Sequence, residues 1–580
     1  MKQIKIQDIK QIIKDNFVYA TLNFIFIIAF VNVFQMIFGI ENSIVGVIFT
    51  IMMASSMMRD LTATPIKHLF IQAFVLVMLA VNACLVVVLP PFFSFFINFI
   101  TIFGILYFFT YEYASHLYFP YILSYLFLIF ISPITISQLP KRMIGMLVGA
   151  VCIILYQLFM GRKRVGETAK DVITIIIDNI IESIECLLLN GEKKSIDLTE
   201  IRHNLCRLSR IIYERRKKVL CISDASFSML DTARGLEHIA ILVHNLEGAI
   251  TQERKIFLEQ ILKQLENYRA YIQGETDVLS SIERKDFISE QYKKEADDFY
   301  WALVYVKYHL THITDSKKRI SYQKTMLSFS VRLKLALHVS QVRIVYALRV
   351  AFLLAVCTLI VQFFHLPHGK WLLFTIASVS LPYADDIGLK AKKRITATII
   401  GGIISVVAYS LIPSSVGRMT IMMLSGYLSF YFKDYASNFS CSTIGALGGA
   451  VFMGIFGWND VGMISLIRLC YIGIGIGIAF IGNLFIFPFW RKTATNQLLQ
   501  KYSSTVDILT KMCKEENIDS QLYYNLVIQA HLQEDKLYQN AEVEGWKEME
   551  HILIQYRQKI REVHRKYAPT PMGSIVLIQE

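Results

Sequence analysis

Four stretches of this chain, Ala20 to Ile40, Phe70 to Leu89, Phe92 to Phe109 and Ile464 to Trp490, carry almost no charge. Each is long enough to cross the roughly 30 Å hydrocarbon layer of a bilayer as a helix. A backbone in lipid must satisfy its own hydrogen bonds, so such runs leave little choice but helices. Apolar residues make up 54% of the 580, and the mean hydropathy of +0.45 exceeds that of ordinary soluble chains. The expected fold class is therefore all-α: a polytopic membrane protein.

Twelve spans are expected, at about 17–38, 43–58, 66–89, 91–111, 117–137 and 143–160, then at about 346–364, 370–383, 394–412, 418–433, 441–457 and 464–489. The net charge of +13 does not point to nucleic acid, because its cations gather at span ends. Lys2, Lys5, Lys10 and Lys14 precede the first span, Arg162 to Arg164 follow the sixth, and Arg491 and Lys492 follow the last. That bias puts both termini in the cytoplasm. The basic stretch Met1 to Asn16 lacks a small-residue cleavage pattern and is expected to stay attached.

Between the two sets of spans, apolar residues recur at helical spacing in Ile173, Ile176, Ile177, Ile180, Ile184 and Leu187, and no proline occurs between Pro140 and Pro367. This predicts a helical bundle. The tail repeats the style with Leu499, Tyr502, Val506 and Leu509 on one face. Four segments result: a transmembrane half at 1–164, a cytoplasmic helical bundle at 165–342, a second transmembrane half at 343–491, and a cytoplasmic helical domain at 492–580.

The two halves look duplicated. Adding 325 to Phe49, Thr50, Ile51, Ser55, Asp60 and Lys67 gives Phe374, Thr375, Ile376, Ser380, Asp385 and Lys392; adding 326 carries Arg142, Gly149, Leu158 and Phe159 onto Arg468, Gly475, Leu484 and Phe485. Each half starts on the same side and has an even number of spans, so the repeats are expected to be parallel.

The stretch Leu381-Pro382-Tyr383-Ala384-Asp385-Asp386, continuing through Arg394 to Gly401-Gly402, resembles the signature of the fusaric-acid-resistance-like (FUSC) family, in which a short span ends in a Pro-x-x-Asp type turn before an Arg-x-x-x-Thr-x-x-Gly helix. The alternation of membrane halves and bundles is similar too, and the plant aluminium-activated malate transporters look like a distant single-half relative. The resemblance implies a bacterial inner-membrane exporter of small organic anions such as aromatic carboxylic acids. Analogy with family relatives suggests a homodimer. The first half departs from the pattern, with His68-Leu69-Phe70-Ile71-Gln72-Ala73 in place of the glycine-rich helix.

Intramembrane cations are expensive and mark function or anchoring. Arg142 and Arg468, paired by the repeat, are candidates to attract a carboxylate; Lys392, Arg394 and Lys67 are candidates to gather anions at the inner mouth; Asp60 and Asp385 are candidates for proton coupling. Capping and orientation are the competing explanation for the Asp385 to Arg394 cluster. Tyr118, Tyr121, Trp371 and Trp490 fit interfacial belts as well as a substrate pocket. His365 and His368 lack a third metal ligand, the nine cysteines are scattered singly, and Gly473-x-Gly475-x-Gly477 lies inside a span rather than in a nucleotide loop.

No nucleophile–base pair or Walker loop is present in the sequence, so neither an enzyme nor ATP drive is expected, and no cofactor or metal is implied. Proton or membrane-potential drive is expected instead, with the lipid bilayer and a small organic anion as partners. The alternative is an envelope-associated structural or lipid-handling protein whose bundles bind a partner.

Overall fold

The computed structural model describes residues 6–56, 64–111, 116–160, 165–190, 196–216, 221–246, 251–282, 290–314, 327–328, 330, 340–412, 414–432, 434–452, 460–514 and 519–567. It divides into two compact units, residues 1–160 with 339–494 and residues 161–338 with 495–580.

The first unit is the membrane unit. Its first half runs α1 (Ile6–Phe38), α2 (Ser43–Ser56), α3 (Pro65–Val88), α4 (Pro91–Phe109), α5 (Tyr118–Phe130) and α6 (Leu139–Met160). Its second half runs α12 (Gln341–Phe363), α13 (Lys370–Val379), α14 (Ile387–Leu411), α15 (Ser415–Leu428), α16 (Tyr435–Phe452) and α17 (Val461–Phe485). Seven of these twelve helices are long and apolar enough to cross a membrane on their own, and α2, α5 and α13 are shorter apolar helices. Pro65 and Pro91 open α3 and α4 at positions where a missing N–H costs nothing.

Within each half the third helix packs on the sixth, α3 on α6 and α14 on α17. Between halves the pairing is unequal. α12 lies along α4, whereas the repeat-related α1 and α15 meet chiefly where Thr21 bonds the Tyr427 hydroxyl and Phe24 meets the Tyr427 ring.

α13 covers ten residues, about 15 Å at 1.5 Å per residue, half the hydrocarbon thickness. The chain then leaves the helix through Leu381 and Pro382. Such backbone persists at membrane depth only when buried in protein and satisfied. Arg349 of α12, fully buried, does this by donating to the Leu381 and Pro382 carbonyls at 2.8 and 3.1 Å and to the Phe487 carbonyl at 3.4 Å.

The second unit is helical and polar outside: α7 (Val165–Asn190), α8 (Leu198–Arg215), α9 (Asp224–His244), α10 (Gln252–Gln273), α11 (Glu290–Thr314), α18 (Arg491–Met512, from Thr495 onward), α19 (Ser520–Glu544) and α20 (Met549–Tyr567). Asp197, Ser223, Thr251 and Asp519 cap four of these helices with side-chain oxygens. Gly274 and Gly545, with φ of 82° and 69°, end α10 and α19 in the left-handed conformation.

The two polar segments, separate along the sequence, share this unit. Arg202 of α8 reaches both Glu237 of α9 and Glu534 of α19, Arg557 of α20 bonds Glu534, and Gln521 of α19 exchanges hydrogen bonds with the Ile222 backbone at 2.8 and 2.9 Å. Burial alone would raise the Glu534 pKa, but Arg202 and Arg557 hold it below the ordinary value.

Candidate functional site

α14 and α17 run antiparallel in contact, with α13 and α16 beside them. Each contributes one guanidinium: Arg394 from α14, 4% exposed, and Arg468 from α17, 6% exposed. They lie within electrostatic reach of each other. Arg394 sits over the Phe439 ring of α16, 3.5 Å from its centroid, and Arg468 over the Trp371 ring of α13 at 5.6 Å. In each, Nε and Nη1 are buried without a hydrogen-bond partner.

The surrounding polar groups are hydroxyls, not carboxylates. Thr375, Ser378, Thr398, Ser405, Ser440 and Thr443 are buried, and each donates to a carbonyl of its own helix. None of the described carboxylates pairs with Arg394 or Arg468.

That matters energetically. Moving a guanidinium out of water costs several kcal/mol even after relaxation. A ring face returns about 0.5–2 kcal/mol. The aromatic floors orient these cations without compensating them, and an anion with lone pairs to offer is the complementary ligand.

The close approach of the helices comes from glycine. A Cβ added at Gly401 would stand 2.7 Å from the Ser440 carbonyl oxygen, one at Gly402 would stand 2.4 Å from Ser465 Oγ, and one at Gly475 would stand 3.0 Å from Thr375 Cβ. Gly473 and Gly477 have open space beside them, so within the Gly473-x-Gly475-x-Gly477 run only Gly475 serves packing.

The other candidates lie elsewhere. Arg142 is 1% exposed, and its guanidinium donates from Nε to Asn42 Oδ1 at 2.8 Å, from Nη1 to the Ser132 carbonyl at 2.6 Å, and from Nη2 to the Glu41 carbonyl and Ser132 Oγ, both at 2.7 Å. It ties two loops together. Lys67 and Lys392 are exposed, and Asp60 lies outside the described residues. Asp385 is exposed and accepts from the Arg491 backbone N–H at 3.3 Å, while Asp386 pairs with the Arg491 side chain. These two aspartates fasten the turn before α14 to the start of α18.

Sequence reasoning passed over Arg349 and Asn483. Both are buried, and both amide atoms of Asn483 lack partners. A charge within the apolar run of α12 was the available signal for Arg349; Asn483 gave none. Tyr121 and Trp371, which in sequence fit a belt or a substrate pocket, are buried in protein: the Tyr121 hydroxyl donates to Gln72 Oε1 at 2.7 Å and Trp371 meets both Arg468 and the His368 ring. Among the described residues no cluster of three metal-ligating side chains occurs.

A polytopic helical membrane protein with unpaired cations inside one half is the class that this architecture defines. Residues 354–482, which span that half from α12 to α17, match the family model described as fusaric acid resistance protein-like. A Haemophilus influenzae protein described as uncharacterized is 25% identical over 146 residues, which cover 25% of this chain and 20% of the relative. The match thus spans about a fifth of that relative's length. No solved structure matches the chain.

Proposed function

We propose that this protein is a transporter that exports small organic anions, aromatic carboxylic acids among them, across the bacterial inner membrane, with both termini in the cytoplasm and with proton or membrane-potential drive. The observation that carries this reading is the Arg394–Arg468 pair, two buried cations without carboxylate partners among the described residues inside a membrane half. The family match over the same residues supports it. A carboxylate crossing the bilayer must shed water, and guanidinium N–H groups replace that hydration with charge-assisted hydrogen bonds.

The test compares growth inhibition by a panel of weak organic acids in cells with wild type, with Arg468→Gln, and without the protein. Protection by wild type that Arg468→Gln loses, at equal membrane abundance, is the expected result. Equal sensitivity of all three strains to every acid would refute the reading.

One observation favours a lipid-handling role as a second reading. A groove of about 480 Å³ among α1, α2 and α6, lined by Phe26, Phe30, Met53, Tyr156 and Phe159, presents almost only apolar atoms and suits an acyl chain. Protein-dependent transfer of fluorescent phospholipid between vesicles would favour this reading over anion export.

A further inference from the structure

The four unpaired guanidinium nitrogens raise a question that organic-anion transport does not answer: what balances two buried charges when no organic anion is there. Cation–π contact falls short of the cost, and the neighbouring hydroxyls donate to their own helices. Proton loss is no remedy either, because a guanidinium keeps its proton in proteins. The missing group must accept hydrogen bonds, carry negative charge and come from solution.

Size narrows the choice. α14 touches α16 at Gly401 and α17 at Gly402, where an added Cβ would stand 2.7 Å from Ser440 O and 2.4 Å from Ser465 Oγ. These contacts close the helix packing about two turns beyond Arg394. A monatomic ion asks for less room beside these tightly packed helices than a carboxylate attached to a carbon skeleton.

We propose that Arg394 and Arg468 hold a small monovalent anion, of the chloride class, as a resident counter-ion in this closed arrangement, and that an organic anion enters by exchanging with it. The inference rests on the anion-transport reading for its second clause only; the first stands on the buried unpaired nitrogens.

The experiment measures equilibrium binding of radiolabelled chloride to the purified full-length protein in detergent, with gluconate as the background anion. Saturable binding of about one ion per chain is expected, weakened about ten-fold or more in Arg394→Gln and in Arg468→Gln and unchanged in the exposed-site control Lys392→Gln. Wild type should also melt at a higher temperature in chloride than in gluconate. Because that comparison needs no variant, it holds even if an arginine variant fails to fold. Absence of saturable chloride binding to wild type overturns the proposal.

Adding benzoate separates the two readings. Displacement of bound chloride by benzoate supports both. Chloride binding that benzoate does not displace supports the resident ion and overturns exchange. Arginine-dependent benzoate binding without any chloride binding overturns the resident ion and leaves organic-anion transport standing.

Discussion

Arg142 and Arg468 occupy matching places in the two repeats and meet opposite surroundings. Arg142 has its donors met by Asn42, Ser132 and the Glu41 carbonyl, whereas Arg468 keeps Nε and Nη1 without a partner. The difference extends to the helix opposite. Phe49 presses its ring against Gly149 in the first half, and in the second Thr375, repeat mate of Thr50, faces Gly475 while Phe374 turns away to meet Phe127 at 5.0 Å. Three further polar contacts brace the first half: Tyr125 donates to Asn98, Asn82 to Thr101 and Gln157 to the Ser56 carbonyl. One repeat has become a filled brace, and the other keeps unmet cations.

Substituting Arg142 should therefore affect stability rather than transport. Arg142→Gln strands the two carbonyls and the Asn42 amide, and losing hydrogen bonds to a charged group costs about 1.5–3 kcal/mol each before relaxation. A lower melting temperature in detergent is expected, with organic-anion transport per folded molecule retained. Loss of transport at unchanged melting temperature would place Arg142 in the conduit instead.

Gly149 gives a sharper steric test. A Cβ there would stand 2.0 Å from Phe49 Cζ, a ring with no exposed surface. Gly149→Ala should destabilise by overpacking, about 1–3 kcal/mol or more, and the double change Gly149→Ala with Phe49→Leu should recover part of the loss. Gly473→Ala, with open space beside it, should melt with wild type.

The membrane fold was legible because spans announce themselves by missing charge over a fixed length, as Phe70 to Leu89 does. Arg394 and Arg468 were legible as cations in or beside such spans. The fate of Arg142 was not, since two of its partners are backbone carbonyls, which every residue carries and no sequence pattern marks. Trp371 and Phe439 under the two guanidiniums were equally silent, because an aromatic ring in a span reads the same facing lipid or a cation. The union of the two polar segments depends on pairs such as Arg202 and Glu534, 332 positions apart, beyond the reach of any local periodicity.

That pair yields a third prediction. Glu534 is 2% exposed and answers both Arg202 and Arg557. Glu534→Gln leaves Arg202 and Arg557, both half-buried, short of their shared carboxylate, and breaking a fully buried pair from one side costs about 3–5 kcal/mol, which is the upper end for this site. The helical unit should unfold at lower urea, followed by tryptophan fluorescence from Trp301 and Trp546. An unchanged midpoint would show that water replaces the carboxylate there.

His531 of α19 sets the pH response of the same unit. Its ring is buried, with Nδ1 2.8 Å from Ser209 Oγ, and burial first, then the charges of Arg202, Arg234 and Arg557, push its pKa well below the ordinary 6.5. The folded protein therefore keeps His531 neutral at pH values where the unfolded chain takes up a proton. Since the unfolded state binds more protons below about pH 6.5, stability should fall as pH drops through that value and level off above it. Glu534, whose folded pKa lies below its ordinary 4.5, adds a further loss on the acid side of that value. Replacing the ring by a residue that does not titrate removes the first component alone. In His531→Gln the melting temperature should be lower at pH 8 but flatter between pH 6.5 and 5 than in wild type. Parallel curves for the two proteins across that interval would mean that the ring takes up its proton in the folded state as well, so that its burial does not bias the equilibrium.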